Sequence, residues 1–167
     1  VGGRKAVSMR RAGRLGDGLE DSTDVGPVVN RAALEKIHAY TEIGKDEGAT
    51  LLTGGEVATE NGLDRGSFYR PTIFADVDPQ MRIAQEEIFG PTTALIPVKS
   101  FDEAIRVTNG IRYGLSSSIF TRDVNKAFRA MRDLQTGITY INAGTTGAEV
   151  HLPFGGTKDT GNGHREA

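Results

Sequence analysis

The segment Glu86-Glu87-Ile88-Phe89-Gly90-Pro91 places two carboxylates, an aromatic ring and a Gly-Pro turn side by side. A carboxylate accepts two hydrogen bonds from the neighbouring hydroxyls of a sugar. An aromatic face one helical step away packs against a flat heterocycle. Together, Glu87 and Phe89 read as a hand for a nucleotide cofactor. Taken singly, each residue has a plainer alternative: Glu87 as a solvated carboxylate at a helix end, Phe89 as a plug in a core. A second aromatic with the same two readings, Phe154, opens Pro153-Phe154-Gly155-Gly156-Thr157-Lys158.

Other chemistries find less support. The chain has no cysteine, which excludes disulfides, thiolate metal sites and a Cys nucleophile within these residues. Ser116-Ser117-Ser118 lies in a strand-like stretch without a Gly-x-Ser-x-Gly elbow, so serine hydrolase chemistry is not expected. His38 falls on an amphipathic helix and reads as structural. His151 and His164 lack a carboxylate at ligand spacing, so no metal site is expected. The stretch Asp21–Pro27 is turn chemistry without the Asp-x-Asp-x-Asp-Gly spacing of a calcium loop. Gly161-x-Gly163-x-x-Glu166 lacks the third glycine of a dinucleotide fingerprint, and Gly155-Gly156 reads as backbone geometry rather than phosphate binding.

The elements that must position the hand follow from periodicity. Asn30 is placed to cap a helix from Arg31 to Glu47, with Leu34, Ile37, Thr41 and Gly44 on one stripe and Tyr40 and Ile43 beside it. Gly48 ends it. Ala49–Leu52 reads as a short strand closed by Gly54-Gly55. Phe68–Phe74 is β-rich, with Pro71 making it an edge or a bulge. A short helix is expected around Met81–Ile83. Thr92–Val98 is a continuous apolar run, the pattern of a buried strand. A helix over Phe101–Asn109 turns Phe101, Ala104, Ile105 and Thr108 inward. Leu115–Phe120 is a strand, and Asp123–Leu134 a helix with Val124, Ala127, Phe128 and Met131 at core spacing. Ile138–Asn142 is a further strand. Strand and helix alternate over residues 92–142, which predicts parallel α/β crossovers with no internal boundary. Ligands of such sheets sit at the carboxyl ends of strands, where the glycine-rich stretch after Ile141 falls.

Composition narrows the class. A length of 167 residues suffices for one domain with a core. A net charge of −2 gives no electrostatic reason to expect nucleic acid or an anionic membrane as partner, and Arg10, Arg11 and Arg14 read as a solvated helix face. No apolar run is long enough to span a bilayer, and the basic start has no apolar stretch behind it to act as a secretory signal. Together with the absence of cysteine, this predicts a cytoplasmic protein. The chain does not start with Met, which implies a processed or partial chain.

In order along the chain, Glu87 and Phe89, the Tyr140-Ile141-Asn142 strand end with its loop Gly144-Thr145-Thr146-Gly147-Ala148-Glu149, and the Phe154 segment resemble the C-terminal part of an aldehyde dehydrogenase. Asp24-Val25-Gly26-Pro27, Leu51-Leu52-Thr53-Gly54-Gly55, Pro71-Thr72-Ile73-Phe74, Tyr113-Gly114-Leu115 and Phe120-Thr121-Arg122-Asp123 fit the same family. The likeness runs over nearly all of the chain after about residue 12, the first dozen residues matching poorly.

The resemblance implies an α/β, aldehyde dehydrogenase-like catalytic domain. It would be three-layered with a mostly parallel sheet, incomplete at both ends, and residues 1–167 would form a single part of it. It implies that a Cys attacks a small-molecule aldehyde to give a thiohemiacetal, that hydride passes to NAD or NADP, and that a Glu-activated water releases the carboxylic acid. The position of Glu87 then holds the ribose on the nicotinamide side, Phe89 packs near the nicotinamide, and Phe154 lines the aldehyde tunnel. Gly147, Glu149 and His151 form another tunnel wall, whose loop is similar to that of members acting on semialdehydes. The family's nucleophilic Cys, general-base Glu and oxyanion Asn match positions upstream of Val1. No catalytic residue is therefore expected in this chain, and the chain alone is expected to be inert. The parent is expected to be a homodimer or homotetramer. The alternative is an inactive module for folding or subunit interaction, with apolar surface exposed.

Overall fold

The computed structural model describes residues 25–145 and 153–160. The chain divides into two compact units, residues 1–97 and 98–167.

In the first unit, helix α1 (Arg31–Asp46) begins at Asn30, whose side chain accepts a hydrogen bond from the Ala33 amide at 2.8 Å. That bond satisfies one of the free amides of the first turn. Leu34, Ile37, Thr41 and Gly44 are the buried positions of α1, as the helical spacing predicts. The helix covers a three-stranded sheet of β1 (Thr50–Thr53), β2 (Thr72–Ala75) and β3 (Thr92–Ala94), in that spatial order. β1 and β2 are antiparallel with an irregularity between Leu51 and Thr53, whereas β2 and β3 are parallel. A single turn of helix, α2 (Arg82–Gln85), lies between β2 and β3 in sequence.

Two expectations are corrected here. Phe68–Phe74 is not an edge strand. Tyr69 forms an isolated bridge with Val57, and the chain beyond Pro71 becomes β2, the central strand. Proline has no N–H to give a ladder, so it sits just ahead of the strand. The apolar run Thr92–Val98 is not a fully buried strand. Only Thr92–Ala94 forms β3, which is the last strand of the sheet among the described residues, and Leu95 and Val98 are exposed.

The core of this unit has two parts. Phe74, Val77, Ile83 and Ala49 form one, with Tyr40, Leu51, Met81 and Ile96 packed on it. Leu34, Ile37 and Tyr69 form the other, with Val28 and Val57. Ile88 packs against both.

In the second unit, α3 (Phe101–Asn109) starts at Ser100, whose hydroxyl accepts from the Glu103 amide, while the Glu103 carboxylate accepts from the Lys99 amide. β4 (Tyr113–Gly114) pairs antiparallel with β7 (Thr157–Lys158). β5 (Ser116–Ile119) and β6 (Ile138–Ile141) are parallel, in register Ser116 to Ile138, and α4 (Val124–Asp133) connects them. This last crossover matches the predicted pattern. β3 pairs with β2 in the first unit, and β5 pairs with β6 in the second. Among the described residues, β2–β3 and β5–β6 pair parallel, and β1–β2 and β4–β7 pair antiparallel.

Side-chain directions on the helices of this unit also differ from expectation. Thr108 is exposed on α3. On α4, Ala130 is the buried position and Ala127 is half-buried, while Val124, Phe128 and Met131 are exposed, Phe128 by 65%. A helical period identifies residues that share a face but not whether anything covers that face.

Candidate functional site

Residues 86–91 are not helical, which corrects the expectation that Phe89 lies one helical step from the carboxylate. Helix α2 ends at Gln85, and Glu86 is already extended, with φ −109° and ψ 148°. Extended chain alternates its side chains. Ile88 therefore points into the two core clusters, and Glu87 and Phe89 on either side of it are exposed. Phe89 is 78% exposed and its φ is +59°, so it is not a core plug. Positive φ is a strained conformation for a bulky side chain. Gly90 follows it for a steric reason: a Cβ there would lie 2.6 Å from Ile37 Cγ1. The absence of that atom lets the segment rest directly on α1.

The two neighbouring carboxylates have different surroundings. Glu86 is engaged. Arg82 donates to it through Nε at 2.9 Å and Nη2 at 3.1 Å, and the Tyr40 hydroxyl donates to it as well. The hydrogen bonds from Arg82, then from Tyr40, hold the Glu86 carboxyl down to about 2. The same contacts push Arg82 upward, and the bond to Glu86 raises the Tyr40 phenol. Glu87, by contrast, has no hydrogen bond or ion pair from its carboxylate among the described residues. Its backbone carbonyl accepts from Lys36 Nζ at 3.1 Å. That ammonium lies 5.7 Å from the centre of the Phe89 ring and 5.6 Å from that of Tyr40, and Arg82 stands 5.6 Å from the Tyr40 ring. Tyr40 is thus flanked by two cations.

An open hollow of about 310 Å³ is lined by this segment together with Ile83 and Thr92. That is the lower end of the range for small-ligand sites. A free carboxylate and an accessible ring at its rim can meet vicinal hydroxyls and a flat heterocycle.

Phe154, in the second unit, is 47% exposed, which suits a lining residue better than a plug. It precedes the buried pair Gly155-Gly156. A Cβ on Gly137 would lie 1.7 Å from the Gly155 carbonyl oxygen, so only glycine allows the turn before β6 to approach this segment. Gly147, Glu149 and His151 lie outside the described residues, as do His164, the Gly161–Glu166 pattern and Arg10, Arg11 and Arg14. His38, read as structural, shares a hydrogen bond of 3.0 Å with the Tyr69 hydroxyl, which also bonds Thr41. Among the described residues no group of three or more His, Asp or Glu side chains could hold a metal ion.

Lys36, Tyr40 and Arg82 join the site without standing out in the sequence as site residues. Two signals could have found them: the i, i+4 spacing of Lys36 and Tyr40 beside the buried stripe of α1, and the i, i+4 spacing of Arg82 and Glu86.

Comparison with known proteins places this α/β chain in a family. The chain belongs to the aldehyde dehydrogenase family, whose model it matches over residues 4–167. The match begins further upstream than the motifs suggest. The chain is 45% identical over 153 residues to an alpha-ketoglutarate semialdehyde dehydrogenase of Haloferax volcanii, covering 92% of this chain and 32% of that protein. It is 42% identical over 159 residues to a betaine aldehyde dehydrogenase of Brucella anthropi, covering 95% and 32%. Among solved structures, an aldehyde dehydrogenase of Mycobacterium tuberculosis complexed with NAD+ matches with a TM-score of 0.81 and 39% identity, over 88% of this chain and 30% of that one. A betaine aldehyde dehydrogenase of Staphylococcus aureus in complex with NAD+ matches with a TM-score of 0.85 and 34% identity, over 93% and 31%. The chain therefore spans about a third of the length of the relatives it matches.

Proposed function

We propose that this chain is part of an NAD-dependent aldehyde dehydrogenase, in which Glu87 holds the ribose hydroxyls on the nicotinamide side and Phe89 packs near the nicotinamide ring. The observation that carries this reading is the unlike state of two adjacent carboxylates: Glu86 is fully engaged, while Glu87 stands free beside an exposed ring. The bound NAD+ of the two related structures supports the choice of cofactor. When bound, that cofactor supplies a hydride acceptor. The chain's own residues bind and orient it. Phe154, with Gly147, Glu149 and His151, forms the wall of the aldehyde passage, and both units belong to one catalytic domain, completed elsewhere into three layers around a mostly parallel sheet.

The substrate class is an aldehyde, with a semialdehyde as the candidate. The relatives' names include both a semialdehyde and a cationic betaine aldehyde, so a panel spanning both charges on the full-length protein decides between them. We place the full-length enzyme in the cytoplasm as a homodimer or homotetramer. No helix among the described residues is long and apolar enough to cross a membrane.

The test is titration of the chain with nicotinamide mononucleotide, followed by amide chemical shifts. Binding that perturbs residues 86–92 and weakens about tenfold or more in Glu87→Gln supports the reading, because one charged hydrogen-bond acceptor is removed. Unchanged affinity in Glu87→Gln refutes it. With no cysteine to act as nucleophile, the chain alone should not reduce NAD in the presence of aldehydes. Turnover by the pure chain, abolished by Glu87→Ala, contradicts that expectation.

The exposed apolar face of α4 favours a second reading, an interaction module without catalysis. Light scattering separates the two: a stable, non-associating monomer counts against the module.

A further inference from the structure

We propose that Glu86 is a positioning residue: through Arg82 and Tyr40 it holds residues 86–89 so that the Glu87 carboxylate stays free and the Phe89 ring stays presented to the hollow. The inference rests on the cofactor reading of Glu87 and Phe89 above, and adds a role for the other carboxylate of the pair.

The segment needs a tether. Phe89 is held at φ +59°, a conformation that a bulky residue keeps only where its surroundings over-determine it. Glu86 supplies tethers from its carboxylate and from its backbone. Its N–H donates to the Arg82 carbonyl at 2.8 Å, tying it to the end of α2. Its carboxylate takes both donors of the Arg82 fork, a geometry that fixes orientation as well as distance. The Tyr40 hydroxyl binds the same carboxylate from α1, and the residues are 46 apart in sequence, so the contact joins separate elements. The Glu86 carboxylate is taken up by Arg82 and Tyr40, while the neighbouring Glu87 side chain is exposed. The nearest cations are also accounted for. Arg82 is committed to Glu86, and Lys36 is committed to the Glu87 backbone carbonyl, so neither neutralises the Glu87 carboxylate. A carboxylate with no protein partner is the state in which it can accept from a ligand.

The experiment uses the full chain and nicotinamide mononucleotide, with affinity read from amide shifts and folding read from thermal melts of each variant. Glu86→Gln keeps the size of the side chain and loses the charge that holds Arg82, and should weaken binding about tenfold. Tyr40→Phe removes one hydroxyl, is the milder change for folding, and should weaken binding several-fold. Both effects should be clearly smaller in a Glu87→Gln background, because the part that passes through Glu87 is already lost there. An equal loss in that background, or wild-type affinity in both single variants while Glu87→Gln is weakened, overturns the positioning role and leaves the cofactor reading standing. Wild-type affinity in Glu87→Gln overturns the cofactor reading and this inference with it.

Discussion

Gly90→Ala offers the sharpest test of how the site is built. The added Cβ would lie 2.6 Å from Ile37 Cγ1, 2.7 Å from Cδ1 and 3.0 Å from Cγ2. Real carbon contacts are near 3.5–4.0 Å, so about an ångström of movement is needed. Ile37 cannot supply it easily. It is fully buried against Leu34 and Tyr69, and a β-branched side chain in a helix has essentially one χ1 rotamer. The segment must lift away from α1, at a cost of about 1–3 kcal/mol for overpacking. That is roughly a 5- to 150-fold change in the folding equilibrium, measurable by urea unfolding followed by far-ultraviolet circular dichroism. Because the shift moves Glu87 and Phe89, nicotinamide mononucleotide affinity should fall with it. The control is Ile37→Ala, which removes all three clashing atoms and itself costs about 2–5 kcal/mol. Combined with Gly90→Ala, the total should be smaller than the sum by about 1 kcal/mol or more. A Gly90→Ala chain within about 0.5 kcal/mol of wild type, or strict additivity in the double variant, refutes the steric account.

Two further outcomes follow from the same structure. The carboxyl of Glu86 lies at about 2 in the folded chain against an ordinary 4.5, so the folded state binds this proton less readily than the unfolded chain does. Its stabilising effect is therefore full above 4.5 and is lost as pH falls toward 2. Thermal melts across that window should converge for wild type and Glu86→Gln as the pH drops. In the second unit, Lys158 Nζ donates to the carbonyls of Asn109 and Ile111, both at 2.8 Å, where α3 ends. Lys158→Met should cost about 1 kcal/mol in urea unfolding.

Local signals carried much of this architecture. The buried stripe Leu34–Ile37–Thr41–Gly44 and its Asn30 cap are written in the 3.6-residue period and in the chemistry of one side chain. Phe101–Asn109 begins and ends where its capping serine and following glycine place it. What escaped the sequence depends on distant partners. Nothing local to Thr92–Val98 says that β3 is the last strand of its sheet among the described residues, which leaves Leu95 half in water. Nothing local to α4 says that Val124, Phe128 and Met131 go uncovered among the described residues. The site shows the same division. Glu87 and Phe89 were visible as residue types in a motif, but Glu86 and Glu87 differ because Arg82, four residues back, and Tyr40, 46 residues away in sequence, both bind Glu86. The alternation that turns both ligand-facing side chains outward required the helix to stop at Gln85, one residue before the motif.

Ile88 gives the ligand-facing segment an unusual mechanical link. Its side chain is shared by the Phe74 cluster under the sheet and the Ile37 cluster under α1. The segment cannot peel away alone, because releasing Ile88 loosens both clusters at once. Opening of the segment is therefore coupled to the packing of both clusters. On the proposed cofactor reading, a ligand held by Glu87 and Phe89 would draw on that coupling, because whatever binds only the closed segment stabilises the unit by mass action. Occupancy of the rim should then be legible far from it, as slower amide exchange in β2 and α1 together rather than in the loop alone.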